Sequence, residues 1–330
     1  MTHLLHRWRA LWHPDRFHGW GRRRSYFEGW YYKLVTEQGR RAVAIIPGIS
    51  YDQAGQGHAF IQWMDGTEGK AYYHEFPVSA FRPAKDRFQL ALGDNLFSAR
   101  ELRVRLPALR ADLTFHELHP WPRRWMAPGI MGWYSFVPFM ECYHGLVSMD
   151  HQLQGEAVIH GVACSFHGGR GYLEKDWGTS FPSCWVWLQT NHFRESASPT
   201  SLFASVARIP WMGNFFIGFI VAFLWEGQVY SFATYLGSKM RATLDKGTVQ
   251  LAFRSRTHEL SLAATPGTGV ALKSPVSGTM TGKVNESLQA TVRVIFRERN
   301  GKVLFTGTGE HAGLEVAGDT EVLWTDQWRS

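Results

Sequence analysis

From Ser25 onward the chain runs in short stretches of alternating apolar and polar residues, separated by glycine, proline, asparagine and aspartate. A period of two is the mark of a strand with one face on a core and one in water. Leu102, Val104 and Leu106 alternating with Glu101, Arg103 and Arg105 show it plainly. Stretches of the same kind fall at 26–34, 41–46, 58–64, 70–76, 87–92, 101–106 and 111–117, and later at 201–208, 228–236, 288–296 and 302–308. About sixteen to eighteen short strands with little helical periodicity predict an all-β protein, either two barrels or one large sandwich.

Three stretches depart from this rhythm. Leu4, Leu5, Trp8, Leu11 and Trp12 recur at helical spacing with His6, Arg7 and Arg9 opposite, a short basic amphipathic helix that fits an anionic bilayer or the protein's own surface. Residues 119–140 hold Pro120, Pro122, Pro128 and Pro138 among Trp121, Trp125, Met126, Met131, Trp133 and Phe136, so no regular element can run far there. A lid, a membrane-facing loop and a packed connection all fit. Residues 209–225 are strongly apolar but broken by Pro210, Gly213, Asn214 and Gly218, too short and interrupted for a spanning helix of roughly 20 residues. They are expected to form a buried strand of a meander.

Composition narrows the classes. At 330 residues there is length for one large or two medium domains. The formal charge of +7 and pI near 9.4 permit an anionic partner, with Arg22, Arg23 and Arg24 extending the basic arm. Three arginines before a strand are weak grounds for nucleic-acid binding, and none is expected. Cys142, Cys164 and Cys184 lie far apart with no Cys-x-x-Cys pair, against a structural zinc site or disulfide framework. The first residues lack the apolar core of a secretory signal, so the expected location is cytoplasmic, with the arm as a candidate contact to the inner face of a membrane.

The chemistry gathers near 171–191. In an extended chain Tyr172, Glu174 and Asp176 point one way and Leu173, Lys175 and Trp177 the other. In the next strand Trp185, Trp187, Gln189 and Asn191 share a face, an aromatic wall with polar tips. Near the start, Glu28, Trp30 and Tyr32 share another. Each acid is a candidate for proton transfer or, alternatively, a solvated or arginine-paired structural charge. No Gly-x-Ser-x-Gly elbow, P-loop, dinucleotide fingerprint or His-Glu-x-x-His motif occurs, and no metal or cofactor is expected.

These stretches resemble the tocopherol cyclase family and, more distantly, carotenoid 1,2-hydratase. The resemblance is carried by Arg24 with Phe27-Glu28-Gly29-Trp30-Tyr31-Tyr32-Lys33, by Gly132-Trp133, and by Glu174-Lys175-Asp176-Trp177-Gly178 through Phe181-Pro182 to Trp185-Val186-Trp187-Leu188-Gln189-Thr190-Asn191. Where the family pattern often has asparagine, this chain has Asp176. The resemblance implies two lipocalin-like antiparallel β-barrel domains, here a basic arm at 1–24 and domains at 25–165 and 166–330. It also implies cofactor-independent protonation of an isoprenoid double bond in a prenylated hydrophobic molecule, followed by ring closure or hydration.

Burial among rings raises a carboxyl pKa, and ring faces stabilise a carbocation. On those grounds Glu174 and Asp176, with Glu28 as an alternative, are candidate acids, and Trp30, Tyr32, Trp177, Trp185, Trp187, Gln189 and Asn191 candidate substrate contacts. A non-catalytic carrier of a quinone, carotenoid or lipid would use the same fold.

Overall fold

The computed structural model describes residues 6, 8–138, 140–196 and 198–329. Twelve strands form a first antiparallel sheet: β1 (Tyr26–Val35), β2 (Ala42–Tyr51), β3 (Gly57–Asp65), β4 (Lys70–Phe76), β5 (Phe81–Pro83), β6 (Gln89–Leu92), β7 (Asn95–Ser98), β8 (Glu101–Arg105), β9 (Leu109–His116), β10 (Cys142–Ile159), β11 (Val162–Ser165) and β12 (Arg170–Gly178). Their order is β4-β3-β2-β1-β12-β10-β9-β8-β7-β6-β5, with β11 on β10. The last long strand is thus inserted between the first strand and β10. That insertion brings sequence-distant residues side by side.

The second sheet holds β13 (Cys184–Thr190), β14 (His192–Phe193), β15 (Ser201–Trp211), β16 (Asn214–Trp225), β17 (Gln228–Ala233), β18 (Lys239–Asp245), β19 (Thr248–Arg254), β20 (His258–Thr265), β21 (Gly269–Val276), β22 (Thr279–Glu298), β23 (Val303–Gly318) and β24 (Thr325–Arg329). Its order is β17-β16-β15-β13-β23-β22-β20-β19-β18-β24. The protein is all-β, with two large lipocalin-like antiparallel sheets.

Alternation does the sorting. In β9 buried and exposed positions alternate without a break, sending Leu109, Ala111, Leu113 and Phe115 to the first core. That core also takes Trp30, Tyr32, Trp63, Phe88 and Phe97, each large side chain worth about 1.5–3 kcal/mol when withdrawn from water. The Tyr32 hydroxyl of β1 donates to the Ser98 carbonyl of β7 at 2.8 Å, although the two strands are far apart in the sheet order. The sheet therefore curls round its own core. In the second unit Val186, Leu188, Phe219, Phe223, Phe253, Phe296 and Leu314 build a separate core.

The first compact unit runs to Phe181 and takes in Leu272–Lys283; the second comprises Pro182–Ala271 and Val284 onward. Sequence reading put the change at 165/166, within the glycine-rich stretch before Gly171. Here Gly168, at φ 75°, and Gly169 turn the chain between β11 and β12 inside one sheet, and β12 stays paired to β1 and β10 through Gly178. A turn inside a sheet and a turn between domains use the same residues. The Leu272–Lys283 hairpin is held to the first unit by Gln62, which donates to the Lys273 carbonyl at 3.1 Å and accepts its N–H at 2.8 Å.

The apolar stretch 209–225 is a hairpin rather than a single buried strand. Met212 (φ 47°) and Gly213 (φ 80°) turn it, so β16 is buried only from Phe219 inward while Met212 and Phe215 are exposed. In the N-terminal segment Leu4, Leu5 and Arg7 lie outside the described residues; Trp8–Ala10 are helical and Ala10 is buried. Among the described residues of 119–140 the regular structure is an isolated bridge between Arg124 and Ala127 and a short 3-10 turn, Gly132–Phe136. Among the described residues no helix is long and apolar enough to cross a membrane.

Candidate functional site

Strands β1, β12 and β10 carry the candidate residues on two opposite faces. On the core face Glu28 stands opposite Trp177, Trp30 opposite Lys175 and Tyr32 opposite Leu173. On the other face Tyr31 stands opposite Glu174 and Lys33 opposite Tyr172, and in β10 His144 stands opposite Asp176 and Leu146 opposite Glu174. Both sequence-derived groupings, Glu174 with Asp176 and Glu28 with Trp30 and Tyr32, are present. Since directly opposed residues share a face, the sheet itself separates Glu28 from the other two acids.

The core face is closed by the N-terminal arm. Glu28 is fully buried and accepts hydrogen bonds from the backbone N–H groups of His18 (2.9 Å) and Gly19 (2.9 Å) and from the Tyr26 hydroxyl (2.6 Å). The Lys175 ammonium lies 2.5 Å from its carboxylate, donates also to the Arg16 carbonyl, and sits over the Trp177 and Trp30 rings at 4.4 and 5.0 Å. Burial by itself would raise the Glu28 carboxyl pKa; Lys175 and His18 outweigh it and hold the pKa below its ordinary value. His18 receives Lys175 at Nδ1 (2.6 Å), bonds the Ala10 carbonyl through Nε2 (3.0 Å) and stacks on Trp177 at 4.1 Å. Burial and the Lys175 charge push its pKa down, and an Nε2–H tautomer satisfies both bonds.

Trp30 extends this closure by donating to the Asp15 carbonyl at 2.9 Å, and its ring stacks on Phe88 at 5.2 Å. Pro14 lies so close to Gly145 that a Cβ there would come within 2.8 Å of the proline Cβ. The arm is thereby part of the first unit's packing.

The opposite face has a different chemistry. His144 Nδ1 is 2.8 Å from Asp176 Oδ1 and its Nε2 is 3.5 Å from Glu174 Oε2, so the imidazole is held between two carboxylates. Tyr172 donates its hydroxyl to Glu174, and the Cys142 thiol reaches Asp176 Oδ1 at 3.8 Å. Burial lowers the His144 pKa, but Asp176 and Glu174 together override it and raise the pKa above the ordinary imidazole value. Burial and the neighbouring carboxylates raise the Tyr172 and Cys142 pKa values, keeping both protonated. Asp176 is the open end of the group, with 23% of its side chain exposed against 5% for Glu174.

Trp185, Trp187, Gln189 and Asn191 belong to the second unit. In β13 Cys184, Val186 and Leu188 enter that unit's core, so Trp185, Trp187 and Gln189 lie on the opposite face, and Asn191 follows just past the end of the strand. The Trp185 indole donates to Glu315 Oε2 of β23 at 2.6 Å, while Gln189 and Asn191 are buried.

Sequence reading missed His144, His18 and Glu315. His144 meets Asp176, Glu315 meets Trp185 and His18 meets Lys175 only through pairing or packing across a long stretch of chain, and no local spacing announces that. Two groups of described residues have ligand atoms within 4.8 Å of one another: Asp65, Glu68 and His160, and His144, Glu174 and Asp176. In the first the Arg41 guanidinium already lies 2.5 Å from Asp65 and 3.6 Å from Glu68. In the second a divalent ion and the proton on His144 would compete for the same lone pairs.

The chain resembles solved structures in its fold. It matches CghA bound to Sch210972 at TM-score 0.55 and 12% identity, over 89% of each chain, and kievitone hydratase from Nectria haematococca at TM-score 0.50 and 10% identity, again over 89% of each. By sequence it is 24% identical over 207 residues to the chloroplastic tocopherol cyclase of Zea mays, covering 60% of this chain but 43% of that protein. The match thus spans less than half the length of that relative. The tocopherol cyclase-like family model matches residues 107–318, a stretch that contains the His144–Glu174–Asp176 group and the β13 wall, and the chain belongs to that family.

Proposed function

We propose that this chain is a cofactor-independent enzyme that protonates an isoprenoid double bond in a prenylated hydrophobic small molecule, leading to ring closure or hydration. The observation that carries the reading is the imidazole of His144 clamped between Asp176 and Glu174 on a largely buried sheet face. His144, whose hold on a proton the two carboxylates strengthen, hands that proton to Asp176. Asp176, the most exposed member, delivers it to the less substituted alkene carbon, and a tertiary cation forms. A phenol oxygen of the same molecule or a water then bonds to that cation and loses its proton to the Asp176 carboxylate, which passes it back to His144 Nδ1 and so restores the starting state. Glu174, anchored by Tyr172, holds the imidazole in place from the other side.

Family membership supports this reading, as does the occurrence of a cyclase and a hydratase by name among the relatives and neighbours. Glu28 is assigned a different role: a carboxylate with three neutral donors and an ammonium is a buried counter-ion. Trp30, Tyr32 and Trp177 serve with it in the core of the first unit. Trp185, Trp187, Gln189 and Asn191 are assigned as contacts for an apolar ligand on their own sheet.

The test is to identify by native mass spectrometry and extraction what co-purifies with the protein, then follow its conversion by the wild type and by Asp176→Asn and Glu174→Gln. Loss of a general acid is expected to reduce turnover about 10²-fold or more. Full turnover by both variants would overturn the assignment. A ligand recovered unchanged after long incubation at several pH values would favour the carrier reading.

A further inference from the structure

The first unit carries an exposed aromatic surface that the proposed chemistry does not use. Trp8 is 62% exposed, Trp125 74%, Met126 64% and Trp133 45%. They are joined into one patch by packing beneath them. The Trp8 and Trp12 rings are 4.9 Å apart, Trp12 and Phe136 are 5.4 Å apart, and the Trp12 indole donates to the Trp125 carbonyl at 3.3 Å. Arg123 ties the loop to the arm through Asp15 Oδ1 (2.7 Å) and His13 Nδ1 (2.9 Å). Solvent-facing tryptophan and methionine on this scale are costly unless something covers them.

The charges around the patch indicate what does. Residues 119–140 contain Arg123 and Arg124 and no carboxylate, and Arg9 is exposed beside Trp8. Asp15, the acid of this part of the arm, is already paired to Arg123. Indole rings with guanidinium groups at their rim suit the headgroup layer of a bilayer, where the ring is half in hydrocarbon and the cation meets lipid phosphate.

We infer that the Trp8–Trp125–Met126–Trp133 surface docks the protein on an anionic lipid bilayer. The loop also borders the proposed site, because Met131 Sδ accepts the His144 N–H at 3.0 Å and Val137 accepts the Tyr143 hydroxyl at 2.5 Å. A lipophilic substrate dissolved in that bilayer would be presented beside His144, a corollary that rests on the reading above. Docking itself does not rest on it.

The experiment is sedimentation of the full chain with vesicles of phosphatidylcholine mixed with phosphatidylglycerol, against vesicles of phosphatidylcholine alone, with no substrate present. Wild type is expected to bind the anionic vesicles more tightly and to lose binding as salt rises. Trp125→Ala and Met126→Glu are each expected to weaken binding about tenfold. Met212→Ala, at the exposed hairpin turn of the second unit, is expected to leave it unchanged. Failure of the wild type to bind anionic vesicles, or binding by both loop variants at wild-type strength, would overturn the inference and leave the acid assignment standing. Both loop positions are exposed, and circular dichroism of each variant checks the fold.

Discussion

His144 and Asp176 face one another on neighbouring strands, Nδ1 to Oδ1 2.8 Å, though 32 residues separate them in sequence. The pair makes His144 a stronger base in the folded protein than in the unfolded chain. A folded pKa raised above the unfolded value contributes stability below about pH 6.5 and loses it as pH rises through the raised value. Replacing Asp176 by Asn removes one of the two carboxylates, so the His144 ring is expected to titrate at lower pH in Asp176→Asn, followed by NMR of the imidazole. An unchanged or higher midpoint would show that the pair does not control the proton. In the wild type, turnover is expected to decline as pH rises through the His144 midpoint.

The Glu28–Lys175 pair should behave as structure. Glu28→Gln leaves a buried ammonium without its counter-charge, and a loss of about 3–5 kcal/mol is expected in urea unfolding. Lys175→Met should cost a similar amount, and the double variant less than the sum of the two. Additive losses would mean that the two groups act independently.

His151 supplies an acid-side prediction. Fully buried beside Phe115 and bonded to the Ser148 hydroxyl at 3.1 Å, it is held neutral by burial and by Arg170, with its pKa pushed down to about 3. The unfolded chain takes up this proton near pH 6.5 and the folded chain does not. Stability from His151 is therefore complete above about pH 6.5 and declines as pH falls from there toward the folded value. His151→Phe is expected to flatten this part of the stability profile. A variant with the wild-type slope between pH 6.5 and 4 would place the acid sensitivity elsewhere.

Zinc should compete with the proton on His144. The ligand atoms of His144, Glu174 and Asp176 lie within 4.8 Å of one another, and binding an ion there requires a deprotonated imidazole. Isothermal titration is expected to show zinc affinity falling about tenfold per pH unit below the His144 midpoint. It should be lost in His144→Ala. Zinc binding that survives this variant would assign the ion to another set of residues.

Much of this was readable from local pattern. The alternation of Leu102, Val104 and Leu106 located β8, and the phases of 172–177 and 28–32 correctly grouped Glu174 with Asp176 and Glu28 with Trp30 and Tyr32. Side-chain direction in a strand depends only on parity, which a few residues reveal. The hairpin at Met212–Gly213 was harder, because its apolar arms read as one continuous run. The domain change was harder too, since glycines turn a chain equally well inside a sheet.

By itself the sequence determined the strand-rich class, the faces within each strand, and the short motifs that resemble the tocopherol cyclase family. Tertiary structure decided which faces meet. Placing β12 between β1 and β10 set His144 beside Asp176, put Lys175 against Glu28, and divided three candidate acids between opposite sides of one sheet. Register between distant strands is set by the packing of a whole core and by turn geometry along the chain, and it leaves no mark in the neighbourhood of the residues it joins.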